Sequence, residues 1–101
     1  MSGQVVPFRL SRARALALVR QAGKETGRIV LTRHAQQRMR QRRITMKQIL
    51  ACLGSGIMTE GPALDVRGCW ACRMERTVLD DAIKVGLAID PAANVIIVTV
   101  I

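Results

Sequence analysis

The sequence CWACRMERTVLDDAIKVGLAID, residues 69–90, predicts a β-hairpin. Apolar and polar side chains alternate through residues 69–78, and residues 83–89 repeat the same period of two. This alternation is typical of strands that bury one face and expose the other. Asp80 and Asp81 fall between the two runs and indicate the turn.

The segments on either side of this hairpin predict further strands. Residues 94–101, NVIIVTVI, are apolar on both faces, which indicates a central strand of the sheet. Residues 90–94, DPAAN, predict the hairpin loop that leads into it. A shorter strand is expected at residues 57–60, closed by Gly61-Pro62.

The first half of the chain predicts helices. Ser11 is the expected N-cap of a first helix running to about Ala22, with one apolar stripe. Residues 28–32, RIVLT, predict a short strand. Residues 1–9 are expected to form a loose arm.

Two more helices are expected between that strand and residue 57. Thr32 is placed to cap a helix over residues 33–43. Thr45 and Gln48 have the spacing of a capping box for the third helix, which Gly54 and Gly56 end. The fold class that follows is α+β, with two or three N-terminal helices packed on one face of a four- to five-stranded antiparallel sheet. Residues 10–101 are interpreted as one domain, in which residues 10–27 form an extra helix before a core of residues 28–101.

The charge is unevenly distributed along the 101 residues. Residues 1–50 hold 12 of the 16 Lys and Arg and one acid, Glu25, whereas residues 51–101 hold four basic and six acidic residues. The net charges of the two halves are therefore +11 and −2. Such an excess predicts an acidic partner, which is nucleic acid, an anionic membrane or an acidic protein, and its plainer alternative is a solvated basic surface.

Other features narrow these alternatives. The two aromatic residues, Phe8 and Trp70, are too few for a platform on which bases stack. No apolar run approaches the roughly 20 residues of a membrane span, and the start lacks the apolar region of a signal peptide. We therefore expect a cytoplasmic protein with no membrane partner.

Three cysteines, an odd number, do not suggest a disulfide framework. Cys69 and Cys72 have C-x-x-C spacing, but in a strand they face opposite sides, and further metal ligands are not near them in the sequence. We expect neither a metal nor another cofactor.

The segment RHAQQRMRQRR, residues 33–43, contains the candidate catalytic residues. His34, Arg38 and Arg42 are spaced by four residues and lie on one helical face. His34 falls in the first helical turn, where free backbone N–H groups attract anions. A lone histidine at a helix start is also compatible with a structural hydrogen bond.

These residue types suit metal-independent RNA cleavage. His34 is the candidate general base or acid. Arg38, together with Arg42 or Arg43, is the candidate clamp on the charged transition state. The residues expected to bind RNA phosphates are Arg33, Arg40, Arg43 and Lys47. Three candidates remain for a second proton-transfer or supporting group, namely Glu60, Glu75 and Thr99.

The run LTRHAQQRMRQRRIT, followed by GSGIMTEGP, GCW and VIIVTVI, resembles an uncharacterised bacterial family of domains of unknown function. The characteristic motif of this family is a strand followed by H-x-x-x-R-M-x-x-R. The resemblance covers roughly residues 28–101. That family is similar to the RelE-like superfamily of ribonuclease toxins, which includes barnase-like, EndoU-like and colicin-like nucleases. The resemblance implies helices against an antiparallel sheet, an RNA-directed role in toxin–antitoxin or mobile-element systems, and functional roles for His34, Arg38, Arg42 and Thr99.

The function that the sequence favours is therefore an RNA-directed, RelE-like endoribonuclease that needs no metal. Two alternatives remain. One is a non-catalytic nucleic-acid-binding accessory protein, and the other is an interaction module whose basic helices dock an acidic partner such as an antitoxin.

Overall fold

The computed structural model describes residues 9–90 and 95–101. Three α-helices and five strands occur there. They are α1 (Arg12–Lys24), β1 (Ile29–Leu31), α2 (Arg33–Arg42), α3 (Met46–Ser55), β2 (Ile57–Leu64), β3 (Trp70–Val78), β4 (Asp81–Asp90) and β5 (Val95–Val100). A single 3₁₀ turn, Thr26–Arg28, joins α1 to β1. The expected arm at residues 1–9 lies, apart from Arg9, outside the described residues, and so does the loop at residues 91–94.

The five strands form one sheet in the order β1-β5-β4-β3-β2. The last strand lies between β1 and β4, so the prediction of a central position is confirmed. The pairs β2–β3, β3–β4 and β4–β5 are antiparallel, as predicted, but β1 runs parallel to β5. The sheet is therefore mixed. The reason is that β1 lies beside a strand far away in sequence, and such a crossover allows the parallel direction that a hairpin forbids.

One face of the sheet forms the core with the helices. The predicted alternation is confirmed in β4, where Ile83, Val85, Leu87 and Ile89 are buried. Their cross-strand neighbours on the same face are buried as well, namely Cys72, Met74, Ile96, Val98 and Val100. Helix α3 packs on β3 and β4, α2 packs on β5, and α1 packs mainly on α3. Every side chain whose burial is described on the opposite face is exposed or half-buried.

The helices begin where their caps predict. The side chains of Ser11, Thr32 and Thr45 each accept a backbone N–H three residues ahead. Thr45 and Gln48 form the complete capping box. Helix α1 extends two residues beyond Ala22, to Lys24. Helix α2 ends one residue early because Arg43 adopts the left-handed conformation that closes a helix.

Strand β2 is longer than predicted. It continues through Gly61 and Pro62 to Leu64, with register irregularities on both sides of Glu60. Gly61 permits this because its φ is +90° and a Cβ there would lie 2.3 Å from the carbonyl oxygen of Ala71. Pro62 is tolerated because β2 is the edge strand, where a missing N–H need not break a ladder.

In the described ranges no helix is long and apolar enough to cross a membrane.

Candidate nucleic-acid interface

His34, Arg38 and Arg42 form one stripe on α2, which we call the His34 stripe. The Nε–H of Arg38 donates to Nε2 of His34 over 3.5 Å. Arginine has only donors, so Nε2 of His34 is the acceptor in this contact. His34 is exposed to solvent and Arg38 is half-buried. His34 is therefore not a buried residue that forms a structural hydrogen bond to the backbone.

The far end of the stripe is fixed to the sheet. Arg42 donates through Nη1 to the backbone carbonyl of Ile101, which directly follows β5. Below the stripe, Ala35 is fully buried and Met39 is packed against the core. This packing holds α2 against β5, with the three candidate side chains of the stripe at the margin of the buried face.

A groove lies on the face of the sheet opposite the helices. Its volume is about 400 Å³. We call it the open-face groove, and the residues that line it are Thr32, Glu60, Gly61, Ala63, Ala71, Cys72, Arg73, Gly86, Leu87, Ala88, Thr99 and Ile101. Small residues of β3 and β4 dominate its floor, which leaves the centre of the sheet surface accessible.

The His34 stripe borders this groove without lining it. The stripe begins two residues after Thr32 and ends at the contact with Ile101, and both of those residues line the groove. His34 and Arg38 are not among the residues that line the groove, and α2 packs alongside β5.

Two of the three candidates for a second functional group lie in the groove. Glu60 and Thr99 both line it, whereas Glu75 lies in a different depression at the start of β2. Glu60 forms an ion pair with Arg73 across 3.4 Å, and both side chains are substantially exposed. An exposed pair of this kind contributes little to stability, so its groups are available to a ligand.

Arg73 and Gly86 were not predicted as site residues. Their positions in the strands placed them on the exposed face, but nothing in the local pattern indicated a concave surface. A glycine inside a strand is the one signal that was present, because it often marks a close approach of a ligand or a neighbouring chain.

The four expected phosphate-binding residues all lie on the surface of α2, the turn after it, and α3. Arg33, Arg40, Arg43 and Lys47 are exposed. Their side chains form no hydrogen bond or ion pair with the described parts of the chain. Their charges are therefore free to meet an anion.

Other basic residues have structural partners. Arg12 donates to the carbonyl of Met58, and Arg20 donates to the carbonyls of Leu53 and Gly56 over 3.1 and 2.8 Å. Arg28 forms an ion pair with Glu25. Some basic residues of the first half therefore join α1 to the rest of the fold, whereas others are exposed, both on α1 (Arg14 and Lys24) and on α2, the turn after it and α3.

The cysteines belong to the interior. All three are free thiols and buried. Cys69 precedes β3 and does not belong to it, so the expectation that it faces the other side of a strand from Cys72 is corrected. Burial raises the pKa of both Cys52 and Cys72 to about 11. Within residues 9–90 and 95–101 no three His, Cys, Asp or Glu side chains are grouped as a metal site requires.

Comparison with protein families matches residues 31–101 to the family described as Domain of unknown function (DUF4258). No curated protein and no solved structure matches the chain. The matched residues include the His34 stripe and all the strands that line the open-face groove, whereas α1 precedes them.

Proposed function

The chain belongs to the DUF4258 family, and we propose that it is an RNA-directed, RelE-like domain that cleaves RNA without a metal ion. The observation that supports this most is the contact between Arg38 and Nε2 of His34, near four exposed cations that have no side-chain partner among the described residues. It places a proton acceptor close to cations that can bind phosphate, on α2, the turn after it and the start of α3. A role as the toxin of a toxin–antitoxin or mobile-element system is part of the same proposal.

The proposed reaction starts at a ribose 2′-hydroxyl. His34 takes its proton on Nε2 as the oxygen attacks the adjacent phosphorus. The bond from phosphorus to the 5′-oxygen then breaks, and a water molecule donates a proton to the leaving oxygen. The hydroxide that remains takes the proton from Nε2 of His34, which restores the neutral imidazole and the water. The products are a 2′,3′-cyclic phosphate and a 5′-hydroxyl, so atoms and charge balance without a co-reactant.

The arginines stabilise the charge that this reaction develops. The pentacovalent phosphorus gains negative charge, and a guanidinium binds two phosphate oxygens with two parallel hydrogen bonds. Arg38 lies half-buried next to His34 and is the best placed of the three stripe residues to bind the reacting phosphate. When a phosphate takes Arg38 away from Nε2, that nitrogen is free to accept the substrate proton.

The neighbouring phosphates of the RNA bind the outer cations. The first N–H groups of α2 have no partner within the helix, apart from the Ala35 N–H that Thr32 accepts. Together with Arg33 they attract anions at the start of the helix. Arg40, Arg43 and Lys47 extend the same positive surface to α3.

The proposal is tested with labelled RNA, purified wild-type protein and the His34→Ala variant, in buffer that contains EDTA. We expect the wild type to cleave, and His34→Ala to bind RNA with unchanged affinity but to cleave much more slowly. Gln37→Ala is the matched control, because Gln37 is an exposed residue of α2 outside the stripe.

Two other results would favour the alternative functions. If both proteins bind RNA and neither cleaves it, the chain is a nucleic-acid-binding accessory protein. If neither protein binds RNA at low salt, the basic surface serves an acidic protein partner, and the RNA proposal fails.

A further inference from the structure

We infer that the open-face groove receives one unstacked base of a single-stranded RNA, while the His34 stripe and its neighbouring cations hold the phosphates. This inference rests on the proposed function and adds the class of substrate to it.

The size and depth of the groove fit such a ligand. A volume of about 400 Å³ falls within the range of roughly 300–1,000 Å³ typical of small-molecule sites. Ala71, Gly86 and Ala88 keep the floor close to the backbone of β3 and β4. A Cβ at Gly86 would come within 2.9 Å of Cγ2 of Thr99, so the absence of a side chain is what opens this part of the floor.

The chemistry of the groove matches a base as well as its shape does. The alanines and the glycine offer an apolar surface to the face of the ring. Glu60 brings carboxylate acceptors and Arg73 brings guanidinium donors, 3.4 Å apart at one end. The edge of every RNA base carries donors and acceptors side by side, so an acceptor next to a donor suits it.

The positive charges next to the groove favour RNA over other ligands that carry hydrogen-bond donors and acceptors. Thr32, which is the N-cap of α2, and Ile101, which contacts Arg42, both line the groove. A base in the groove therefore has its phosphate next to the positive helix start and the stripe. This complementarity of charge favours a nucleotide over a neutral small molecule. A stacked and paired duplex keeps its bases inside the helix, so the inferred substrate is single-stranded.

The test separates the contribution of the bases from that of the phosphates. It compares the affinity for an RNA octamer with the affinity for an octamer of ribose phosphate that lacks all bases. Both probes carry the same phosphates, so the proposed electrostatic binding acts on both. We expect the wild type to bind the RNA octamer about tenfold more tightly, as a difference of about 1.4 kcal/mol produces.

Filling the groove should abolish that difference. Ala71 is exposed in the groove, so Ala71→Leu places a larger side chain there without disturbing the core. This variant should bind both probes equally, at the affinity that the wild type shows for the base-free octamer. Ala17→Leu, at an exposed site of α1, is the matched control and should keep the tenfold difference.

Three outcomes would overturn the inference. If the wild type binds both probes equally, the groove takes no base, although the proposed binding of phosphates stands. If Ala71→Leu keeps the wild-type difference, the base binds elsewhere. If the wild type binds neither probe at low salt, the proposed function fails together with the inference.

Discussion

At the scale of single residues, substitutions of His34 and Arg38 should have different effects on kcat and KM. His34→Ala should lower kcat by a factor on the order of 10²–10³ and leave KM nearly unchanged, because it removes proton transfer alone. Arg38→Ala should lower kcat/KM further through losses in both constants, because the guanidinium binds the phosphate before and during the reaction. Steady-state kinetics on a short RNA measure both effects.

Neither variant should lose stability. His34 is exposed, and the bond from Arg38 is long and open to solvent. The free energy of unfolding should therefore change by no more than about 0.5 kcal/mol. Early melting of His34→Ala would make His34 a structural residue and remove the catalytic role.

The thiols provide a second prediction at this scale. Burial raises the pKa of Cys52 and Cys72 to about 11, so at pH 8 few of these thiols are ionised and none is exposed. We expect alkylation of native protein by iodoacetamide to be slow at all three cysteines and fast after denaturation. Rapid alkylation of Cys52 in the native state would contradict the packing of α3 against β4.

At the scale of elements, Arg20 of α1 donates to backbone carbonyls at the C-terminal end of α3. Helix α3 has no basic residue in its last turn, and Arg20 donates to the carbonyls of Leu53 and Gly56 at its end. Arg20→Ala should lower the free energy of unfolding by about 1.5–3 kcal/mol, the range for hydrogen bonds to charged groups. Urea denaturation measures this loss.

Arg14→Ala is the control for that prediction. Arg14 lies on the same helix, is exposed and has no side-chain partner within the described ranges. Its removal should change the stability by less than about 0.5 kcal/mol. Equal effects of the two substitutions would mean that the carbonyls of α3 are satisfied without Arg20.

The elements were predictable where local physics determines them. Ser11, Thr32 and Thr45 each specify a helix start through one hydrogen bond to a nearby backbone N–H, and that signal is contained in three or four residues. The period of two in β3 and β4 likewise depends on each strand alone. The course of β2 through Gly61 and the parallel pairing of β1 were not predictable, because both depend on contacts with distant strands.

In the candidate site, too, some features follow from the local sequence and others depend on contacts between distant strands. The contact between His34 and Arg38 follows from their spacing on a helix. The groove with Arg73 and Gly86 forms only when β2, β3, β4 and β5 are side by side. No local pattern in the sequence indicates on which side of α2 that groove opens.

At the scale of the whole molecule, the uneven charge predicts binding that depends strongly on salt. If the outer cations and the stripe contact RNA phosphates, the slope of log affinity against log salt should be about −0.7 for each phosphate contacted. Each removal of one such contact, as in Arg40→Ala, should reduce the slope by about that amount, whereas Arg14→Ala should leave it nearly unchanged. Fluorescence anisotropy from about 50 to 200 mM salt measures the slope.

A slope that is the same for Arg40→Ala and Arg14→Ala would mean that the net charge of the protein attracts RNA without a defined surface. The exposed cations of α2 and α3 would then not form a specific phosphate-binding surface.

The chemistry of the cleaved ends tests the central claim most directly. Wild-type protein is incubated with a 5′-labelled single-stranded RNA in EDTA, and the ends of the products are identified by mass spectrometry. The proposed attack of the 2′-hydroxyl predicts 2′,3′-cyclic phosphate and 5′-hydroxyl ends, and no cleavage at a position whose 2′-hydroxyl is replaced by hydrogen. Uncleaved RNA, or products with 5′-phosphate ends, would contradict it.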